Sequence, residues 1–392
     1  MPTLLARAVA RIHRTLVPPR QPPIVWSGGG APRVLYVAGL RGATHRYRVL
    51  HQAEQLVLAG GAWAFADENH PQLARTVADA DLLMLYRPNT TPAVRAALAA
   101  ARARGIAVWY DTDDLGWDAR LIQWCFVAER YDAATVRRYL AGYRATAALM
   151  AQVDGFVAST PYLAAQIAAH FPQPVAVHAN AASAESLALS DTAWQQRRAL
   201  RDGGRVVIGY ASGWPRAHEE DFGVALAALV RVMHARPQVD LALFGHLDLA
   251  LVPDLPRARV RVQPFAPWAQ VPAWHATIDI NLAPLLDNPH RRAKSNIKWL
   301  EAALAGVPTI ASDLDPYRDI VDGTTGILAS SADEWYSAAL KLVDSRAGRA
   351  ATGAAARAQV LATHTTTACA AAYLAIVRAA CAQTPRRGKD RR

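Results

Sequence analysis

This 392-residue chain holds only three cysteines, Cys125, Cys369 and Cys381, and they lie far apart, without the short intervals of a metal-binding cluster. A disulfide scaffold and a zinc module are thereby excluded, and the three read as packing residues in a reducing cytosol. No apolar run approaches the roughly 18 residues needed to cross a bilayer. The first residues offer no uninterrupted apolar stretch of secretory type, because Arg7, Arg11 and Arg14 break it. A Walker loop, a Ser/His/Asp arrangement and a G-x-G-x-x-G turn in its required context are all missing. So are a zinc finger, an RNP-like aromatic strand and a heptad-bearing basic region, which removes nucleic acid from the expected partners.

Acidic residues are also in deficit. Forty-three Lys and Arg against 32 Asp and Glu leave a formal charge of +11. A balance of that sign favours anionic partners, and without nucleic-acid modules a membrane surface or phosphate chemistry is the better reading. With 52% hydrophobic and 19% charged residues the chain is globular, and it is long enough for two domains with separate cores.

The apolar periodicity divides the chain. In residues 1–32, Leu4, Leu5, Ala8, Val9, Ile12 and Leu16 share one helical face opposite the three arginines. That reads either as a helix lying on anionic lipid or as one docked on the protein's own surface. Pro18 and Pro19 end it, and a Pro/Gly-rich linker follows to Pro32. Buried strands are predicted at 33–38, 82–85, 106–110 and 155–158, with a helix from His45 to Leu58 and a closing strand and turn over 175–180, giving a first domain at 33–185. A second series at 206–210, 241–244, 260–262, 278–281 and 309–311 gives a domain at 186–364. A last helix over 365–381 and a basic tail complete residues 365–392. Strand-helix alternation of this kind predicts an α/β architecture of two Rossmann-like, doubly wound parallel sheets facing a cleft at the carboxyl ends of their strands.

The most informative run is residues 291–306. It reads as a helix with Ser295 or Asn296 as N-cap and Gly306 as C-cap. Arg291, Arg292, Lys294 and Lys298, with His290 beside them, crowd the end where the helix dipole is already positive. A phosphate would complete such an arrangement; a merely basic surface helix is the plainer alternative. Lys298 and Glu301 lie three apart, so one face offers a cation for phosphate and a carboxylate for hydroxyls. The pairing suggests a nucleotide-sugar site. Val307 to Asp313 then reads as a buried strand with a polar tip, which sets the helix inside a sheet domain.

The run Lys294-Ser295-Asn296-Ile297-Lys298-Trp299-Leu300-Glu301 resembles the donor-site helix of retaining glycosyltransferases of the GT-B type, family 4. It fits that class's Lys-Ser-x-x-Lys-x-x-Glu variant letter for letter. Many members carry two glutamates eight residues apart, the second on the ribose; Glu301 takes the second place, and Ala293 stands where the first would be. The resemblance implies transfer of a sugar, with retention, from a nucleotide-diphosphate donor to a glycan or lipid-linked acceptor hydroxyl. Polysaccharide, lipopolysaccharide or glycoconjugate assembly is the implied setting, in the cytoplasm and peripherally at the inner face of the plasma membrane. No metal or other cofactor is implied. Residues 33–185 would receive the acceptor and 186–364 the donor.

Lys298 and Arg216 would take the charge of the leaving diphosphate, Glu301 the ribose, and Lys294, Ser295 and Asn296 the rest of the donor. The loop after Ile208, with Gly213, Arg216 and His218, resembles the family's small-residue turn against the diphosphate. Val262 to Trp268, centred on Phe265, resembles its base-binding turn, and Tyr317, Asp322, Gly323 and Gly326 its later signature. The two last glycines read first as turn formers.

In the first domain, Asp111, Asp113 and Asp114 follow the strand predicted to end at Tyr110, a position that faces the cleft. Asp111 is expected to bind acceptor hydroxyls, and Asp113 and Asp114 to handle a proton, with N-capping as the alternative and metal binding the weaker reading. Arg46 and Arg48, at the start of the first helix, are expected to meet an anionic acceptor, or else to be solvated. Two competing readings keep the fold and change the role: a non-catalytic nucleotide-sugar-binding subunit of a glycan assembly complex, and a nucleotide-sugar epimerase.

Overall fold

The computed structural model describes residues 21–124, 131–199, 204–213, 219–248 and 254–383. The amphipathic segment 4–17, Cys125, Arg216, His218 and the basic tail from Pro385 lie outside the described residues.

Six strands form the first sheet: β1 (Arg33–Ala38), β2 (Ala62–Asp67), β3 (Leu82–Tyr86), β4 (Ala107–Thr112), β5 (Gly155–Ala158) and β6 (Val175–Val177). Their order is β2-β1-β3-β4-β5-β6, every pair parallel. Six more form the second: β7 (Val206–Ser212), β8 (Val239–Gly245), β9 (Val260–Gln263), β10 (Ile280–Ala283), β11 (Thr309–Ser312) and β12 (Ile327–Ala329). They run β12-β11-β10-β7-β8-β9, again all parallel. Strands covered on both faces are mostly apolar, and β3 and β4 are buried at every residue. Three aspartates pin neighbouring strands: Asp81, Asp154 and Asp279 accept the backbone N–H of Arg33, Val108 and Val207 at 2.8–2.9 Å.

Two strands escape the sequence pattern. β2 alternates buried and half-buried residues, and half of it is alanine. It is an edge strand and needs no β-branched run. β12 is three residues long, too short for a period.

The first helix, α1, contains a π-turn: Ala43–His45 runs through Arg46–Leu50 in π geometry into His51–Leu58. Five consecutive side chains, His45 to Val49, are buried where the helix enters and follows this turn. Later helices used below are α2 (Pro289–Arg292), α3 (Ile297–Leu304) and α4 (Thr366–Gln383). α4 returns to the first sheet: Tyr373, Leu374, Val377 and Ala380 share a core with Val34, Tyr36 and Tyr86. Tyr373 Oη meets Tyr36 Oη at 2.7 Å and donates to Gln52 Oε1 at 2.8 Å. The polypeptide thus crosses between the sheets twice, which holds their carboxyl edges face to face.

Candidate functional site

Between those edges lies a cavity of about 810 Å³. From the first sheet it is lined by residues 42–46 after β1, Arg87 after β3, and Asp113 and Asp114 after β4. From the second it is lined by Ala211 to Gly213 at the end of β7, Phe244 at the end of β8, Phe265 and Trp268 after β9, and Lys294, Ser295, Lys298 and Glu301 around α3. The topology explains the place. Chain order reverses between β1 and β3 in one sheet and between β10 and β7 in the other, and crevices open at such switch points.

The run 291–306 is two helices, α2 and α3, joined by residues 293–296. This changes the meaning of its charge. Arg291 is buried against Asp221, Nε to Oδ1 at 2.8 Å, and Arg292 pairs with Asp287 at 2.6 Å and Asp315 at 3.4 Å. Lys294 Nζ and His290 Nε2 both reach Asp114, at 3.3 and 3.1 Å. Carboxylates of the protein therefore answer most of the positive charge that the sequence assigns to a phosphate. Asn296 is the N-cap of α3 but makes no side-chain cap bond; it is buried and is not part of the cavity wall, contrary to its expected donor contact. Gly306 ends the helix at φ +67°, and a side chain there would strike the Trp194 ring. Ala293 is wholly buried in the first domain's core cluster, so this place contributes packing between domains.

Lys298 and Glu301 both reach the cavity. Lys298 Nζ donates to the Ala211 carbonyl at 2.5 Å and lies 4.3 Å from the centre of the Tyr210 ring. Burial pushes its ammonium down to about 8, against the opposing pull of Asp221 and Glu301. Glu301 accepts from Tyr47 Oη at 2.8 Å and from Arg46 Nη2 at 3.2 Å, both on Oε1. The Arg46 guanidinium is stacked 3.9 Å over Trp268, and its Nε has no partner among the described residues.

The aspartates separate into two kinds. β4 runs two residues beyond the predicted Tyr110, which draws Asp111 into the sheet. There it is fully buried and holds Arg48 in a fork, Nε to Oδ1 at 2.7 Å and Nη2 to Oδ2 at 2.8 Å, with Gln52 at 2.7 Å. The expected acceptor contacts of Arg48 and Asp111 are thus corrected: the two bind each other, with no exposed surface. Asp113 and Asp114 do line the cavity. Asp113 accepts from Tyr86 Oη at 3.2 Å and Arg87 Nη1 at 3.1 Å. Burial works to raise the Asp114 carboxyl, but Lys294, His290 and Arg87 outweigh it and hold it well below the usual range. A carboxylate so stabilised is a poor base, which argues against the proton-handling role expected for Asp114. His290 is neutral: burial and Lys294 lower it to about 4, and Arg291 Nη1 donates to its Nδ1 at 2.8 Å, so its Nε2 carries the proton toward Asp114.

Gly213 and Phe265 line the cavity, with the Phe265 ring stacked on His246 at 5.5 Å. Tyr317 is buried beside them, while Gly323 at φ +86° is a turn former whose loop is pinned by Asp322 to the N–H groups of Thr324 and Thr325. Three residues of consequence carried no local signal: Arg87, held at φ +47° between Asp113 and Asp114; Asp221, which buries Arg291; and Asn180, discussed below. Among the described residues no group of three His, Cys, Asp or Glu side chains is disposed to hold a metal ion. Nor, among them, is any helix long and apolar enough to cross a membrane.

Residues 216–375 match the family described as "Glycosyl transferase-like". In three dimensions the chain is similar to HepE of Anabaena in complex with UDP-glucose, at TM-score 0.60 and 14% identity over 88% of this chain and 99% of that one. It is similar, too, to sucrose-phosphate synthase from Thermosynechococcus elongatus, at TM-score 0.59 and 14% identity over 90% and 100% of the two chains. A glycosyltransferase from Rickettsia africae gives TM-score 0.59 and 11% identity over 90% and 99%. No curated protein sequence matches the chain. Residues 216–375 are thus similar to a glycosyl transferase-like domain, and the chain has the two-domain GT-B fold.

Proposed function

We propose that the protein is a glycosyltransferase of the retaining, family 4 kind, moving a sugar from a nucleotide diphosphate to a hydroxyl of a glycan or lipid-linked acceptor. The observation that carries this is the pairing of Lys298 and Glu301 on one face of α3, opening on a cavity between the carboxyl edges of two parallel sheets. Support comes from the domain match, and from HepE, whose structures hold UDP and UDP-glucose.

In this reading Glu301 Oε2 accepts from a ribose hydroxyl while Oε1 stays with Tyr47 and Arg46. Phe265 offers the nucleobase an exposed ring, and Lys298 faces the diphosphate, where Arg216 would supply a second cation. The bond from the anomeric carbon to the diphosphate oxygen breaks as the acceptor oxygen forms its own bond on the same face. The acceptor proton leaves with the diphosphate, and negative charge on that group grows in the transition state. A cation already in place stabilises that charge without reorganisation. Asp113 lies across the cavity and is our candidate for the acceptor hydroxyl; Asp114 acts through Lys294 and His290, joining the two domains. Cationic side chains take the task a metal performs elsewhere, so no metal is required. The acceptor is reached at an anionic membrane surface, with the segment 4–17 as the contact.

The test is turnover. UDP-, GDP-, ADP- and CMP-sugars are first ranked by thermal shift, and the one that stabilises most is incubated with acceptor membranes. Transfer of label to glycan or lipid, with the anomeric configuration kept, supports the proposal. Binding without turnover would favour a non-catalytic subunit, and conversion of the sugar without acceptor an epimerase.

A further inference from the structure

We propose that Asn180 presets the Ser295 hydroxyl as a hydrogen-bond donor into the cavity, so that a side chain of the first domain tunes the second domain's hold on phosphate oxygens. The inference rests on the nucleotide-sugar reading above. Its origin is a buried group that the proposed mechanism leaves unused. Arg48 is fully enclosed, and a guanidinium has five N–H groups and no acceptor. Nε and Nη2 are taken by Asp111, while Nη1 donates to the His178 carbonyl at 2.7 Å and to Asn180 Oδ1 at 3.2 Å. The oxygen of the Asn180 amide must therefore face Arg48, because the amide nitrogen has nothing to accept with.

That orientation sends the NH2 group the other way. Asn180 Nδ2 donates to Ser295 Oγ at 2.9 Å, and Asn180 is itself only 1% exposed. Among the described residues this is the hydroxyl's one hydrogen bond, and in it the oxygen accepts. A serine hydroxyl has a single proton; with its oxygen engaged by a donor, that proton is left to give. Ser295 lines the cavity three residues before Lys298, where a donor-diphosphate oxygen would meet both. The direction of the chain is fixed at its start, since Arg48 never loses its proton. Asn180 is thus a positioning residue: it does not line the cavity, and it decides which way Ser295 donates.

Full-length protein is titrated calorimetrically with UDP, GDP and ADP, and the tightest of these nucleotides is carried through a double-mutant cycle. Ser295→Ala removes a charge-assisted bond and should weaken binding roughly tenfold. Asn180→Asp offers only acceptors, so Ser295 turns its proton toward the new carboxylate, and binding should fall by about the same factor. The double variant should bind no more than about twofold weaker than Ser295→Ala alone, because the hydroxyl through which Asn180 acts is already gone. Loosening of the fold, or repulsion of phosphate by the added carboxylate, would instead multiply the two losses to roughly a hundredfold and overturn the proposal. Melting temperatures are taken for each variant; if Asn180→Asp melts early, Asn180→Ala enters the same cycle and must lose its effect in the Ser295→Ala background. Wild-type-like binding by all variants overturns the preset while sparing the nucleotide site. Failure of every nucleotide to bind the wild type removes the site and the inference together.

Discussion

Glu301→Ala should weaken nucleotide binding and loosen the fold at the same time. On the ligand side, a charge-assisted bond to a ribose hydroxyl contributes about 1.5–3 kcal/mol, so affinity should fall by about tenfold or more. On the protein side, the substitution strips Arg46 and Tyr47 of their shared acceptor. The Arg46 side chain is only 9% exposed and already has an unpartnered Nε. Removing one member of a buried pair destabilises by about 3–5 kcal/mol. Glu301 is 25% exposed and Arg46 keeps its stacking on Trp268, so the expected loss here is smaller, about 1–3 kcal/mol. Glu301→Gln separates the two effects. It keeps an acceptor for Tyr47 and should lose at most about 1 kcal/mol of stability, yet it still removes the charge from the ribose bond. Calorimetric titration reads the first quantity and urea denaturation the second. Unchanged affinity in Glu301→Ala would take Glu301 out of the site. Unchanged stability would show that the contact from Arg46 to Glu301 carries no net energy.

Lys298→Ala should depress turnover more than donor affinity. In the wild type kcat/KM should fall as pH rises past about 8, because the ammonium form exists below the lowered value and is lost above it; a flat profile from pH 7 to 9 would separate turnover from Lys298 ionisation. Activity should survive EDTA, and restoration by Mg²⁺ or Mn²⁺ after a chelated loss would turn attention back to Asp113 and Asp114 as metal ligands. Burial lowers His45 and His290 to about 4 and His178 and His275 to about 3, whereas in the unfolded chain they titrate near 6.5. The unfolded state then binds more protons between those values, so stability should be complete above about pH 6.5 and decline as pH falls toward 4; urea midpoints that stay level over that range would refute the burial argument. Deleting residues 1–20 should leave nucleotide affinity intact but reduce sedimentation with anionic liposomes, with added salt weakening the full-length protein's binding; equal sedimentation would assign the segment to the protein's own surface.

The sheets were legible because a strand buried on both faces writes itself locally, as Leu82 to Tyr86 and Val206 to Tyr210 do. The edge strand β2 was not, since its environment is one-sided and half of it is alanine. Lys298 and Glu301 were legible for a similar reason. Three residues of separation on a helix place two side chains together whatever surrounds them.

Charge followed another rule. Arg291 and Lys294 look unanswered in sequence because their partners are distant: Asp221 lies 70 residues before Arg291, and Asp114 180 before Lys294. Arg48 and Asp111, 63 apart, carry no local mark that they are buried together, nor does Asn180, 115 residues before the serine it orients. Local order alone determined the α/β alternation, the apolar strand runs and the i, i+3 pair of α3, because short-range periodicity and backbone geometry suffice for those. Only the tertiary structure decided which charges face the cavity and which neutralise one another, because ion pairs form by proximity in space and the chain folds residues together across any separation in sequence.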